Sequence, residues 1–493
     1  MKPLTIVTPY SSKPFFEKTL FSLTQSDLVE RIIIVSQKPV QMKAPLCHVL
    51  FGESLSSYET LHLILDEIQT HYLLLLLETE RISIEPKTLN RFLQKAEATK
   101  AGLVYSDFYD ESKQAKTYHP LNDYQLGSVR DDFDFGPMIL ISISAVRKTL
   151  KKYSVIPSVK FAGLYDLRLK ISIDHSILHL PEPLYSVVKT TEVSGREKLF
   201  SYVDPQNWVA QKEMEMVFTD YLKKMGAYLP SHYLKKFEQT TEFFPVEASV
   251  VIPVRNRKQT IAQAVKSVQS QETDFPFNII VVDNHSTDGT TAILSELARQ
   301  SSRLKHIIPK RTDLGIGGCW NEALASESCG RYVVQLDSDD LYINPHTLKK
   351  MVDRLRQENE AMVVGSYTLV DSTLKEIPPG LIDHREWSDE NGHNNALRIN
   401  GLGAPRAFHT QLVRKIGFPN VSYGEDYAVA LRICREYRIG RIYESLYLCR
   451  RWSGNTDAGL GIEEMNRNNA FKDEIRTKEI LARQKIAKER ESE

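Results

Sequence analysis

The sequence predicts an α/β protein built from two tandem units, each with a mostly parallel sheet. Two observations support this prediction. Short apolar runs rich in Val, Ile and Leu alternate with helical patterns along the chain, which is typical of strands joined by crossover helices. The same series of motifs also occurs twice in the same order, which indicates an internal duplication.

The length of the chain requires more than one domain. At 493 residues it is too long for a single hydrophobic core. We predict one domain at 1–190 and another at 247–460. A helical linker at 191–246 should join them, and a charged helix at 461–493, solvated or capping a domain, should follow.

The predicted elements have the same order in both halves. The first half has strand patterns at 4–10, 31–36, 71–77 and 102–106, and helical patterns ending near 24, around 58–69, from 86 and from 164. The second half has strand patterns at 249–253, 279–282 and 332–336. Residues 77–89 match residues 336–348 at a constant offset, and Tyr165-Asp166 later matches Glu425-Asp426. The linker should contain helices near 207–225 and 232–239 that dock against a domain.

Composition excludes several classes of protein. Lys plus Arg equals Asp plus Glu, at 63 each, so no bulk charge favours nucleic acid. The five cysteines are scattered without a C-x-x-C pair, which argues against a disulfide framework or a zinc site and favours the cytoplasm. We expect no signal peptide and no transmembrane segment, because the longest apolar run, at 72–77, is too short to span a bilayer. Any membrane contact would be peripheral.

Three carboxylates follow the strand pattern at 332–336, in the run Asp337-Ser338-Asp339-Asp340. The carboxyl ends of parallel strands form the edge where open α/β sheets bind ligands. Neighbouring carboxylates cannot neutralise each other, so this pattern favours a hard divalent cation together with phosphate groups. An acidic turn without function is the alternative.

A second polar strand end lies one βα unit earlier. Asp283-Asn284 ends the strand pattern at 279–282, and Asp288-Gly289 begins a tight turn before the next helix. In a right-handed parallel sheet, the two acidic strand ends come close together. An Asp at this edge can accept a hydrogen bond from a pyrimidine imide or a ribose hydroxyl. The alternative interpretation of this motif on its own is a loop between a strand and a capped helix, with no role in ligand binding.

As a set, these motifs resemble family-2 glycosyltransferases, which have the Rossmann-like fold called GT-A. The resemblance covers about 247–456 and rests on five pieces in the family's order. They are the runs at 251–256, 282–290, 315–321 and 337–339, and Gly424-Glu425-Asp426 with Leu431-Arg432.

The resemblance implies an inverting transferase of polysaccharide biosynthesis. It would move a sugar from a UDP- or GDP-linked donor to a hydroxyl of a glycan or lipid-linked acceptor, with Mg2+ or Mn2+. Asp339 would be the main metal ligand, assisted by Asp337, and Asp426 would be the general base. An acidic helix start is the alternative for Asp426. The residues implied to bind the nucleotide sugar are Pro253, Arg255, Asp283, Asn284, Asn321 and Asp337.

The sequence departs from the family pattern at three positions. Arg255 stands where the family often has Tyr, although a guanidinium can also stack on a base. Trp320 stands where many members have Arg. Trp452 lies where a His often occurs, so a His-ligated metal is not expected.

The first half resembles a degenerate copy of the same fold. Ser36 occupies the place of the strand-end Asp, and Glu78-Thr79-Glu80 replaces the acidic run. We expect this domain to have lost donor binding and to position the acceptor or stabilise a dimer. An independently active first domain is the alternative.

Two other functions compete with glycosyl transfer. A sugar nucleotidyltransferase also uses a metal at a sheet edge, but it would need a glycine-rich basic motif, and residues 253–258 contain no glycine. A non-catalytic scaffold of two inert domains is the second rival. The joint presence of Asp283, Asp337, Asp339 and Asp426 argues against it.

Overall fold

Two mostly parallel sheets, one in each half of the sequence, form the framework of this computed structural model. The structure describes residues 2–42, 44–77, 81–112, 115–188, 207–238, 242–358, 360–399, 401–452, 454–455 and 459–491. The chain divides into two compact units, Met1–Tyr228 with Gly461–Glu493, and Leu229–Leu460. The C-terminal helix therefore lies in the first unit, and the division falls inside the predicted linker 191–246.

The first unit has the elements expected from alternating strands and helices. Its strands are β1 (Leu4–Pro9), β2 (Val29–Ser36), β3 (Cys47–Phe51), β4 (Tyr72–Leu76), β5 (Arg81–Ile84), β6 (Leu103–Ser106), β7 (Phe108–Glu111), β8 (Lys116–His119), β9 (Met138–Ser142), β10 (Ile177–Leu180) and β11 (Tyr185–Val188). Its helices are α1 (Pro14–Thr24), α2 (Tyr58–Glu67), α3 (Pro86–Thr99), α4 (Ile143–Tyr153), α5 (Gly163–Asp174) and α6 (Trp208–Lys224), with the C-terminal helix given below.

The second unit follows a similar plan. Its strands are β12 (Ala248–Val254), β13 (Phe277–Asp283), β14 (Leu304–Ile307), β15 (Tyr332–Gln335), β16 (Leu341–Tyr342), β17 (Met362–Val370), β18 (Glu376–Ile382), β19 (Arg406–His409) and β20 (Ile439–Arg450). Its helices are α7 (Ile261–Gln269), α8 (Thr290–Gln300), α9 (Ile316–Ala325), α10 (Thr347–Glu358), α11 (Gly392–Asn395), α12 (Thr410–Ile416) and α13 (Glu425–Cys434); α14 (Ile462–Glu491) returns to the first unit.

The main sheets of the two units share one strand order. The first runs β10-β6-β9-β4-β1-β2-β3, and the second contains β20-β17-β19-β15-β12-β13-β14. In both sheets one inner strand, β9 or β19, is antiparallel to its two neighbours. A four-stranded sheet, β5-β11-β7-β8, completes the first unit. The predicted α/β architecture with mostly parallel sheets is therefore confirmed.

Local sequence explains where several helices begin. Ser57 caps α2, because its hydroxyl accepts a hydrogen bond from the Thr60 N–H. Pro14 and Pro86 open α1 and α3, where the missing N–H of proline costs nothing. Asp288 accepts the N–H of Thr290 at the start of α8.

Helix α14 carries buried charges into the first unit. Asp473 accepts hydrogen bonds from Ser128 Oγ at 3.0 Å and from Arg476 Nη1 at 2.8 Å, and Arg130 Nε lies 3.4 Å away. Arg483 donates to Glu479 on the preceding turn of the helix. These side chains are buried, so α14 is packed into the unit along this face rather than solvated on all sides.

One predicted helix does not form. The pattern at 232–239 predicted a second linker helix, but the chain forms only a short 3-10 helix, Ser231–Tyr233, before it extends. Lys235 then exchanges backbone hydrogen bonds with Glu436 and Arg438. Pairing with this distant segment replaces the local hydrogen bonds that a helix would have made. In the described part of the chain, no helix is long and apolar enough to cross a membrane.

Candidate active site

The register of the second sheet brings the predicted site residues to one edge. Strand β12 lies between β13 and β15, with Val254 opposite Asp283 and Val251 opposite Gln335. Asp283 therefore ends one neighbouring strand, and Asp337 follows the other by two residues. Both lie at the carboxyl edge, where parallel sheets bind ligands.

Asp283 is a buried, ionised carboxylate that organises the turn after β13. Its Oδ1 accepts the N–H of Ser286 at 3.0 Å, and its Oδ2 accepts the Thr291 hydroxyl at 2.5 Å. His306 Nε2 lies 3.5 Å from the same Oδ2. Burial raises the pKa of Asp283, but the hydrogen bonds from His306, Ser286 and Thr291 outweigh burial and lower it overall.

The other predicted nucleotide-binding residues surround this turn. Asn284 is buried and donates from Nδ2 to the carbonyl of Leu314 at 2.7 Å, which leaves its Oδ1 without a hydrogen-bond donor among the described residues. Pro253 is half-buried near the end of β12, and Arg255 just beyond it is exposed. This edge therefore offers an amide oxygen and an exposed cation next to Asp283.

The acidic run after β15 concentrates negative charge in a mostly buried position. Burial is the largest influence that raises the pKa of Asp337, and the Asp339 charge adds to it, whereas a 2.9 Å hydrogen bond from Gln335 opposes it. Burial also raises the pKa of Asp340, assisted by the charges of Asp339 and Asp337. The N–H of Arg450 donates to Asp340 at 2.7 Å.

Asp339 is held by the segment that follows β20. Trp452 Nε1 donates to Asp339 Oδ2 at 3.1 Å, and Asn455 Nδ2 donates to the same oxygen at 3.3 Å. Arg257 Nε lies 3.7 Å from it, and Arg257 also donates to the carbonyl of Gly454. This segment therefore closes over the carboxylate predicted to bind metal.

The chemistry of the acidic run fits a hard divalent cation. Mg2+ and Mn2+ prefer oxygen ligands and are often held by one or two carboxylates together with water and phosphate. Among the described residues, no group of three or more His, Cys, Asp or Glu side chains is arranged to hold a metal ion. Asp339 and Asp337 would therefore supply one or two ligands, and a bound diphosphate would supply others.

Asp426 lies in the first turn of α13 and stays partly accessible. Its side chain is 32% exposed, and Arg406 Nη2 donates to its Oδ2 at 2.6 Å. The adjacent Glu425 is buried; burial and then the Asp426 charge raise the pKa of Glu425 to about 8. At pH 7 the two neighbours therefore differ, with a mostly neutral Glu425 beside a carboxylate paired with Arg406.

The glycine-rich start of α9 anchors the loop that leads to Asp426. A Cβ on Gly317 would lie 1.9 Å from the Pro419 carbonyl, so only glycine permits this approach. Asn321 donates to the carbonyl of Phe418 at 2.8 Å and accepts its N–H at 2.9 Å. Both polar atoms of the Asn321 amide are thus hydrogen-bonded to the protein backbone.

Several residues that contact the acidic groups were not predicted from the sequence. Arg406 pairs with Asp426, Arg257 lies beside Asp339, and His306 lies beside Asp283. Only Arg257 had a local signal, because it follows the first strand of the domain closely. Trp452 departs from the family pattern, but nothing in the sequence indicates its hydrogen bond to Asp339.

Comparisons with known proteins identify a family for this chain. The family described as Glycosyl transferase family 2 matches residues 249–418. An uncharacterized glycosyltransferase of Haemophilus influenzae is 31% identical over 231 residues, which cover 44% of this chain and 69% of that protein. An uncharacterized protein of Mycobacterium tuberculosis is 30% identical over 115 residues; the match spans 23% of this chain and only 33% of that relative.

Among solved structures, part of this chain is similar to residues 1–349 of Staphylococcus aureus TarS in complex with UDP-GlcNAc. It has 22% sequence identity and a TM-score of 0.37, and the alignment covers 48% of this chain and 72% of that chain. The family match includes the ends of strands β13 and β15, with Asp283, Asp337 and Asp339. This chain belongs to glycosyltransferase family 2.

Proposed function

We propose that this protein is a metal-dependent, inverting glycosyltransferase. It transfers a sugar from a UDP- or GDP-linked donor to a hydroxyl group of a glycan or lipid-linked acceptor. One observation carries the proposal: Asp426 is connected to Asp337 through Arg406 and Gln335, by hydrogen bonds of 2.6, 2.8 and 2.9 Å. The candidate base and the acidic strand end therefore belong to one cluster.

The donor side of the reaction uses the strand ends of β13 and β15. Asp339 and Asp337 would hold Mg2+ or Mn2+, and the bound metal would offset the negative charge of the diphosphate leaving group. The base or ribose lies against Asp283 and Asn284, next to Pro253 and Arg255. The buried amide oxygen of Asn284, which has no hydrogen-bond donor within the described part of the chain, supports a hydrogen bond from the nucleotide.

The acceptor side uses Asp426. The acceptor oxygen forms a bond to the anomeric carbon while the bond from that carbon to the diphosphate oxygen breaks, and the hydroxyl proton passes to Asp426. A base on the face opposite the leaving group gives inversion. The exposed fraction of Asp426 and its pairing with Arg406 suit a carboxylate that must stay ionised and reach the acceptor.

We further propose that the first unit, within 1–190, is a degenerate copy that does not catalyse transfer. The shared strand order supports a common origin. Asp166, which aligns with Asp426, is buried and bonded to Lys170 Nζ at 2.7 Å. A buried and neutralised carboxylate cannot serve an incoming acceptor. Glu78, Thr79 and Glu80, which replace the acidic run, lie outside the described residues.

The remaining assignments follow from the same proposal. The catalytic domain corresponds to 247–460, and the protein works in the cytoplasm, in agreement with five cysteines that form no disulfide. A screen of nucleotide sugars with Mn2+ tests the function. We expect one UDP- or GDP-sugar to raise the melting temperature and to be consumed when acceptor is present. If no nucleotide sugar stabilises the protein or is consumed, glycosyl transfer is the wrong function.

A further inference from the structure

Arg406 connects the two halves of the candidate site. It opens β19, and its side chain is only 6% exposed. We propose that Arg406 is the positioning residue of the reaction, which aligns Asp426 toward the acceptor and ties it to the acidic run at Asp337. This inference rests on the proposed function, and it adds a residue that does not itself touch substrate.

The guanidinium is held at three points. Its Nη2 donates to Asp426 Oδ2 at 2.6 Å, its Nη1 to Gln335 Oε1 at 2.8 Å, and its Nε to the carbonyl of Leu402 at 2.5 Å. The donors of Arg have a fixed planar arrangement. Gln335 in β15 and Leu402 in the loop before β19 hold two of the donor nitrogens. Because the guanidinium is planar and rigid, the remaining nitrogen, Nη2, is then directed at Asp426.

Gln335 extends the connection to the donor side. It is buried in β15, opposite Val251 of the central strand β12. Its Oε1 accepts from Arg406, and its Nε2 donates to Asp337 Oδ1 at 2.9 Å. Both ends of the Gln335 amide are therefore used, and its orientation is set by its partners. A shift of Asp337 on donor binding would be passed through Gln335 to Arg406 and Asp426.

A buried arginine also needs partners for stability alone, so the two roles must be distinguished. A purely structural Arg406 would affect folding and all binding steps together. A positioning Arg406 affects the proton transfer, because misplacing a reacting group by about 1 Å can cost about 100-fold in rate. Loss of a structural Arg406 should therefore lower both kcat and nucleotide affinity, whereas loss of a positioning Arg406 should lower kcat and leave nucleotide affinity nearly unchanged.

The test compares Arg406→Gln and Arg406→Lys with Arg354→Lys. Arg354 makes a two-point ion pair with Glu360 from α10 and is the matched control for loss of a guanidinium. For Arg406→Gln we expect kcat to fall about 100-fold, with Mn2+-dependent nucleotide affinity within about 3-fold of wild type. Arg406→Lys should recover part of kcat, and Arg354→Lys should match wild type. Equal losses in kcat and nucleotide affinity, or an unchanged kcat, would overturn the proposal.

A second readout needs no turnover. Carboxyl 13C NMR of labelled Asp follows the titration of Asp426 in wild type and in Arg406→Gln. Removal of the cation should raise the pKa of Asp426, because an adjacent positive charge favours the ionised form. An unchanged titration would contradict the proposal even if the donor is unknown. Absence of turnover by the wild-type protein would instead count against the proposed function.

Discussion

The indole of Trp452 donates to the carboxylate of Asp339, with 3.1 Å between Nε1 and Oδ2. Asn455 donates to the same oxygen, and Arg257 approaches it. An oxygen that accepts these hydrogen bonds is less available to a metal ion. Metal binding at Asp339 should therefore compete with closure of the segment that follows β20.

Replacing Trp452 should strengthen metal binding. Trp452→Phe keeps an aromatic ring but removes the indole N–H, and hydrogen bonds to charged groups contribute about 1.5–3 kcal/mol. We expect Mn2+ affinity, measured by electron paramagnetic resonance, to rise about 10-fold. Trp208→Phe, at an exposed tryptophan of the first unit, is the control and should leave the affinity unchanged. Weaker Mn2+ binding by Trp452→Phe would show that the indole assists the metal rather than competing with it.

The two adjacent acids of α13 should respond differently to amide substitution. Asp426→Asn removes the proposed base, so kcat should fall about 100- to 10,000-fold while nucleotide binding is retained. Glu425→Gln should keep most activity, because burial and the Asp426 charge raise the pKa of Glu425 to about 8 and leave it mostly protonated at pH 7. Steady-state kinetics with calorimetry of nucleotide binding checks both variants. Full activity of Asp426→Asn would remove it as the base.

The buried acid of α14 should be important for the stability of the first unit. Asp473→Ala leaves Arg476 and Arg130 without their shared buried partner, which should cost about 3–5 kcal/mol. The control is Glu474→Ala, where the acid is half-exposed and paired with Lys478 on the surface. We expect it to change stability by less than about 0.5 kcal/mol. Denaturant unfolding measures the free energy of unfolding of both variants. If Asp473→Ala is as stable as wild type, the buried carboxylate of α14 contributes little to stability.

The first unit should lose stability at alkaline pH. His119 lies 2.7 Å from Asp110 and 3.7 Å from Asp134, and its side chain is 12% exposed. Burial lowers the pKa of His119, but the hydrogen bond to Asp110 and the nearby carboxylate of Asp134 outweigh burial and raise the pKa to about 9. A raised pKa gives stability that is complete below the unfolded value of about 6.5 and is lost as the pH rises through 9.

The pH effect can be separated from other titrations by substitution. Thermal unfolding between pH 6 and pH 10 should show a loss of up to about 3 kcal/mol in wild type that His119→Gln reduces. His62, an exposed histidine paired with Asp66, is the control, and His62→Gln should behave as wild type. If His119→Gln keeps the full alkaline loss, the pair with Asp110 is not its cause.

The parts predicted from sequence are those governed by local patterns. Apolar runs located the strands, and because a parallel sheet places strand ends at one edge, Asp283 and Asp337 could be grouped before the structure was known. What could not be predicted depends on contacts between distant residues. Asn321 finds its partner at Phe418, 97 positions away, and Arg406 finds Gln335, 71 positions away. The hydrophobic periodicity of the sequence gives no information about such long-range pairs.

The failed helix at 232–239 and the packing of α14 have the same physical origin. Tertiary contacts override local propensity, and charged residues on a helix give no sign of whether they face solvent or a buried ion pair. Asp473 and Arg476 are residue types that are typical of a solvent-exposed helix face, yet both side chains are buried.

Calorimetric titration of UDP and GDP into the full chain, with Mn2+ and with EDTA, tests the central claim most directly. We predict that one nucleotide binds with Mn2+ and that EDTA abolishes its binding. Asp339→Asn should lose this binding, whereas the control Asp353→Asn, at an α10 carboxylate that pairs with Lys349, should keep it. Binding of neither nucleotide, or equal binding by wild type and Asp339→Asn, would contradict the account of a metal-dependent glycosyltransferase.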